Sequence, residues 1–185
     1  MRVAILRYAM TAALAALVAS AASAQDMSAF ETGPVFKDFG PHAPVEGVGK
    51  LSAGTAFKHS FDVSEAASEG KANRHIESAA RFINMPAAAG VDPEDIQVAV
   101  VVHGGASLDL LKEPGWEAQG KPGVNASHAL VRDLLDHGVR VILCGQSAVA
   151  HGITQDDLVP GVEMALSAMT AHAVLQQAGY TVNPF

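Results

Sequence analysis

The run Ile96-Gln97-Val98-Ala99-Val100-Val101-Val102 constrains the fold more than any other part of the chain. It is aliphatic throughout apart from Gln97 and mostly β-branched, which favours extended backbone. A strand with one wet face alternates apolar and polar residues. A continuous run suits a strand covered on both faces by helices, as in a parallel sheet. His103-Gly104-Gly105 follows at once, and its glycines suit a tight turn. A second run, Val139-Arg140-Val141-Ile142-Leu143-Cys144, passes directly into Gly145-Gln146-Ser147-Ala148, a segment able to start a helix that closes near Gly152. Open α/β sheets place their chemistry where a strand feeds a helix through such a turn.

The elements between these strands read as helices. Asn73 caps a segment with Ile76, Ala79, Ala80, Ile83 and Ala87 at helical spacing, with Pro86 blurring its end and Gly90 stopping it. Asn125 caps another, with Leu130, Leu134 and Leu135 as its buried stripe and Gly138 as its stop. Thr55 to Val63 reads as a first strand through Phe57, Phe61 and Val63. Ala106 to Lys112 is a short helical turn, Glu113 to Gly123 a loop carrying Trp116, and Thr154 to Asp157 a turn. After Pro160 the pattern predicts one helix from Val162 to Gln177, with Met164 and Met169 in the core. Tyr180 to Val182 is a short edge strand. Strands alternating with helices in this order predict an α/β layer with a mostly parallel sheet. Right-handed crossovers then bring the two strand ends, at His103-Gly104-Gly105 and Cys144-Gly145-Gln146, toward one pocket.

Composition places this domain in a compartment. Arg2 and Arg7 precede an apolar stretch from Ala9 to Ala22, and Ala22-Ser23-Ala24 is a small-residue cleavage site, the layout of a secretory signal peptide over 1–24. The stretch is shorter than the ~20 residues a spanning helix needs, so no stable membrane insertion is expected after cleavage. Residues 25–54 are rich in Gly and Pro and read as an extended arm anchored by Phe30, Val35, Phe36 and Phe39. Residues 55–185 form the α/β domain. Losing Arg2 and Arg7 leaves ten basic against nineteen acidic residues, a net charge of −9. That balance, without a basic stripe, excludes nucleic acid as an expected partner. The leader implies the periplasm, where one cysteine can form no internal disulfide.

That cysteine, Cys144, ends a strand and begins a helix, where unpaired N–H groups and the helix dipole favour a thiolate. The competing reading is a small buried hydrophobe in a core strand. The candidate site is Cys144 with His103, Gly104, Gly105, Gly145, Gln146 and Ser147 around it. His103 would stabilise the thiolate as an imidazolium or hydrogen-bond within its own turn. The glycines serve tight turns, and their N–H groups can hold an anion. Neither His-x-x-x-His nor Cys-x-x-Cys spacing occurs, and Cys144 and His151 stand roughly 10 Å apart along a helix at ~1.5 Å per residue, so no metal and no cofactor are expected. Ser147 lacks the Gly-x-Ser-x-Gly elbow of a serine nucleophile.

The strand and His-Gly turn of 96–105 with Leu108 to Leu111, the cysteine turn Val141 to Ser147 with His151-Gly152-Ile153, and the segment Leu158 to Tyr180 together resemble the DsrE/DsrF-like family, in its exported branch. The resemblance covers the chain from about Thr55 onward. It implies a three-layer α/β/α sandwich with a mostly parallel sheet of about five strands, assembled as a homotrimer or homohexamer. It implies sulfur-relay chemistry, with Cys144 carrying sulfur as a persulfide between a donor and an acceptor, protein or small sulfur compound, in a sulfurtransferase-like role. The chain departs from the family in its export signal and at His151, where many relatives carry arginine. The alternative function is a non-catalytic oligomeric protein of the periplasm that binds a small ligand in the pocket of His103 and Cys144.

Overall fold

The computed structural model describes residues 26–183; the leader expected over 1–24 lies outside the described residues. Five strands form one sheet: β1 (Phe57–Val63), β2 (Ile96–Val102), β3 (Arg140–Cys144), β4 (Glu163–Ala165) and β5 (Thr181–Asn183). Every neighbouring pair is parallel, in the order β4-β3-β2-β1-β5. The aliphatic run of β2 lies at the centre, buried from Val98 to Val102 with only Gln97 exposed, as a strand covered on both faces requires.

Alternation along the strands sorts their side chains into two cores. Phe61, Val63, Val98, Val100, Val102, Val141 and Leu143 enter the larger one. There they meet helices α1 (Arg74–Ala88) and α3 (His128–Asp136), which contribute Ile76, Ala80, Ile83, Leu130 and Leu134. Each fully buried leucine in this layer contributes about 1.5–3 kcal/mol by leaving water. Ala99, Val101 and Ile142 point to the opposite face and pack on Ala171 and Leu175 of α5 (Ala168–Gln177). The result is an α/β/α arrangement in which, among the described residues, a single helix covers the second face.

The extended arm packs on the body of its own chain. Asn84 of α1 is fully buried; its Oδ1 accepts from the N–H groups of Val35 and Phe36, and its Nδ2 donates to the carbonyls of Phe36, Phe39 and Gly40. Gly40 has φ +66°, and a Cβ there would stand 2.3 Å from the backbone N of Arg81, so only glycine lets the arm lie this close to α1. Phe36 is buried beneath it.

Several expectations change. The helix expected over Val162–Gln177 is broken. Glu163–Ala165 pairs with Ile142–Cys144 as β4, and α5 begins only at Ala168, where Ser167 and Thr170 form a reciprocal cap. Ladder bonds to β3 and the paired hydrogen bonds of Arg140 Nε and Nη2 to Glu163 outweigh helical spacing over these three residues. The guanidinium holds the Glu163 carboxyl below its ordinary range, although an ion pair this exposed contributes only about 0–1 kcal/mol. Met164 and Met169 are therefore not core residues: they are 40% and 80% exposed. The segment expected as a loop holds a short helix, α2 (Glu113–Ala118), with Pro114 in its first turn. Asn125 does not cap α3, which starts after Ser127. Its amide instead ties down the carbonyls of Asp109 and Leu111. The helix α1 runs through Pro86 to Ala88.

Candidate functional site

Cys144 occupies a special point of the sheet. It is the last residue of β3 and pairs with Ala165 at the end of β4. The chain leaves β3 into α4 (Gly145–His151), whose Ala148 joins the larger core on one face, and leaves β4 into α5 on the other face. Adjacent parallel strands whose following helices part to opposite faces form the switch point where open α/β sheets bind ligands. The sulfur lies between the starts of those two helices.

The residues around Cys144 explain how the two starts are held together. Gly145 approaches β4 so closely that a Cβ would stand 2.6 Å from the Ala165 carbonyl oxygen and 3.3 Å from that of Leu166. Gln146 Nε2 donates to the Leu166 carbonyl at 3.1 Å. These contacts fix the β4–α5 link against α4, so the first N–H of α5, that of Ala168, faces the sulfur. Burial alone pushes the Cys144 thiol up. The Ser147 N–H and hydroxyl, the Ala168 N–H and the Gln146 N–H outweigh it and hold the thiol below its ordinary value. Cys144 sits at the N-cap of α4 without a side-chain cap hydrogen bond, so these donors surround the sulfur without closing a cap. The residue is 6% exposed.

The His-Gly turn joins this cradle through its backbone. The Gly104 N–H donates to Ser147 Oγ at 3.0 Å, which leaves the hydroxyl proton free to point at the sulfur. His151 Nε2 bonds the Gly104 carbonyl at 3.1 Å from the far end of α4. Gly104 itself has φ +55° beside the Ser64 carbonyl, a conformation glycine adopts without strain. Gly105 is exposed, and a Cβ there would stand 3.4 Å from the Cβ of Ala66.

His103 is brought to the same sheet face but takes a different partner. In the β2–β3 register it stands opposite Cys144, one residue beyond the last pair Val102–Leu143, and alternation puts both on the α5 side with Val101 and Ile142. Its Nε2 meets Asp62 Oδ2 of β1 at 3.3 Å. The other Asp62 oxygen meets His172 Nε2 of α5 at 2.8 Å, and His172 Nδ1 is buried without a partner among the described residues. The groups that lower the thiol thus come from α4 and α5 and not from His103. Sequence reading missed Asp62, His172 and the Ala168 N–H. Asp62 shows only as a polar residue alternating with Phe61 and Val63, and its histidine partners lie 41 and 110 residues away. Among the described residues no group of three or more His, Cys, Asp or Glu is placed to hold a metal ion, and no helix is long and apolar enough to cross a membrane.

The DsrE/DsrF-like family model matches residues 58–184. No curated protein matches the chain. Among solved structures, MTH1491 of Methanobacterium thermoautotrophicum, titled a protein of unknown function, is similar with a TM-score of 0.52 at 19% identity, over 70% of this chain and 99% of that one. The ychN protein of E. coli aligns with a TM-score of 0.49 at 19% identity, over 70% of this chain and all of that one. At this identity the MTH1491 likeness is one of fold.

Proposed function

The chain belongs to the DsrE/DsrF-like family, and from that premise we propose that it is a sulfur carrier, with Cys144 bearing sulfur as a persulfide. The observation that carries this reading is the cradle of donors from α4 and α5 that holds the Cys144 thiol below its ordinary value. A thiolate is the form that attacks sulfur, and a position at the start of a helix is where proteins lower thiol pKa.

In the forward step the Cys144 thiolate attacks the terminal sulfur of a donor persulfide, R–S–SH. A new S–S bond forms on Cys144, the donor S–S bond breaks, and R–S⁻ leaves. The terminal sulfur is transferred with no net oxidation or reduction. Delivery to an acceptor thiolate is the same step in reverse. The terminal sulfur of a persulfide is an unbranched atom and suits a cysteine that is only 6% exposed. The Ser147 hydroxyl and the N–H groups of Gln146, Ser147 and Ala168 serve both the attacking thiolate and the persulfide anion that replaces it. Gly145 and Gln146 keep the two helix starts in place. His103, held by Asp62, forms a neighbouring wall. The protein works in the periplasm, as a homotrimer or homohexamer, with a donor and an acceptor of sulfur as its partners.

Incubation with inorganic polysulfide, followed by intact-protein mass spectrometry, tests this. The expected result is gain of whole sulfur atoms on the native chain and none on Cys144→Ser. An equal gain on Cys144→Ser, or no gain on either, sinks the proposal. Alkylation adds an independent check: the thiol should react readily at pH 6. Reaction confined to pH values near the ordinary thiol pKa of about 8.5 would favour a non-catalytic pocket for a small ligand.

A further inference from the structure

A polar cavity opens among the loops that follow β1 and β2, on the side of the sheet covered by α1 and α3. It has a volume of about 160 Å³ and is lined by Asp109, Trp116, Lys121, Lys71, Glu69 and Asn125 among others. Asp109 is the unusual member. It is only 2% exposed, and burial pushes its carboxyl up, partly offset by the Asn73 and Ala67 donors and by the charge of Lys121. Both structural hydrogen bonds, from the Ala67 N–H at 2.9 Å and Asn73 Nδ2 at 2.7 Å, fall on a single oxygen, Oδ2. The other oxygen, Oδ1, accepts no hydrogen bond within the protein among the described residues. Oδ1 is not among the sealed polar atoms of the described residues that lack a partner, so it is reached from the cavity and open to a donor there.

The walls supply the complementary charges. The Lys121 ammonium stands 5.9 Å from the centre of the Trp116 ring, close enough to act on Asp109 but unpaired with it. Lys71 stands on the same rim beside Glu69. The side chain of Asn125 is spent on backbone groups, so it shapes the cavity without reading a ligand. A buried anion at the base with cations and an indole at the mouth fits a molecule carrying both signs of charge a few atoms apart. The volume admits a molecule of about the size of benzene, which fills a cavity near 150 Å³.

We propose that this cavity binds a small α-amino acid, its ammonium group donating to Asp109 Oδ1 and its carboxylate facing Lys121 and Lys71 against the Trp116 ring. The site is separate from Cys144 and does not depend on sulfur transfer.

Trp116 is the only tryptophan, so its fluorescence reports the cavity directly. Titration of the full chain with L-alanine should give a saturable change in emission, while ethylamine and propionate, each carrying half the charge pattern, should bind at least about tenfold more weakly. Asp109→Asn keeps a carbonyl oxygen for Ala67 and Asn73 but loses the anion. It should weaken L-alanine binding by at least about tenfold. Lys121→Met, at the rim and free of structural hydrogen bonds, should also weaken it, measured by calorimetry because this change alters the tryptophan's own environment. No saturable response to L-alanine overturns the proposal. So does equal binding of ethylamine or propionate, or native affinity in either variant.

Discussion

At the scale of single residues, Ser147 links the two turns that the site is made of. Its hydroxyl accepts from Gly104 and its N–H and hydroxyl act on the Cys144 sulfur. Ser147→Ala removes one lowering group and leaves the Gly104 N–H without its acceptor. The pH midpoint for alkylation of Cys144 should therefore move up, with slower reaction at neutral pH. An unchanged midpoint would mean that the backbone N–H groups alone set the thiol. Ser147 is legible in the sequence as a neighbour of Cys144 three residues on, but its bond to Gly104 is not, because that bond spans 43 residues. The cysteine itself is legible, since an aliphatic run followed by Gly-Gln-Ser-Ala fixes where the strand stops and the helix starts.

At the scale of elements, two junctions carry most of the specificity. The first is the contact between the start of α4 and the β4–α5 link. Gly145→Ala places a Cβ 2.6 Å from a backbone oxygen, so the link must shift. Overpacking of this kind costs about 1–3 kcal/mol, to be read from chemical denaturation. The same shift withdraws the Ala168 N–H from the sulfur, so the Cys144 alkylation midpoint should also rise. The second junction is the arm on α1. Asn84→Ala strands backbone groups of Val35, Phe36, Phe39 and Gly40 that it now satisfies, at a cost of at least about 2 kcal/mol. Hydrogen exchange should quicken at the Val35 and Phe36 amides while β2 stays protected. Uniform loss of protection would show that the arm and the body unfold together. The break between β4 and α5 escapes periodicity because three strand residues are too few to outvote a helical pattern on both sides, although the Ser167–Thr170 cap marks the true start.

At the scale of the molecule, the two faces of the sheet are unequal. The α1 and α3 face holds the large core; the other has one helix and a small cluster. Around the Cys144 end, Val149, Leu166 and Met169 are exposed by 82%, 73% and 80%. Exposed apolar side chains gathered near one site mark a surface for association. Sedimentation equilibrium should give three or six times the chain mass, and a Leu166→Glu, Met169→Glu double variant should shift it toward the monomer. A native chain that sediments as a monomer at micromolar concentration removes this assembly from the proposed function.

What the sequence determined by itself was local: the buried parallel strands, the helix stripes of α1 and α3, and the turns at His103-Gly104 and Cys144-Gly145. Each follows from backbone propensity and a pattern within some fifteen residues, and so survives into the fold. The tertiary structure decided what meets at those turns. It set Asp62 between His103 and His172, so that His103 is held away from the thiol, and brought the Ala168 N–H of α5 to the sulfur. It also left one oxygen of the buried Asp109 open to a cavity. Those contacts join residues tens of positions apart, and they exist only because five parallel strands bring their carboxyl ends to one edge.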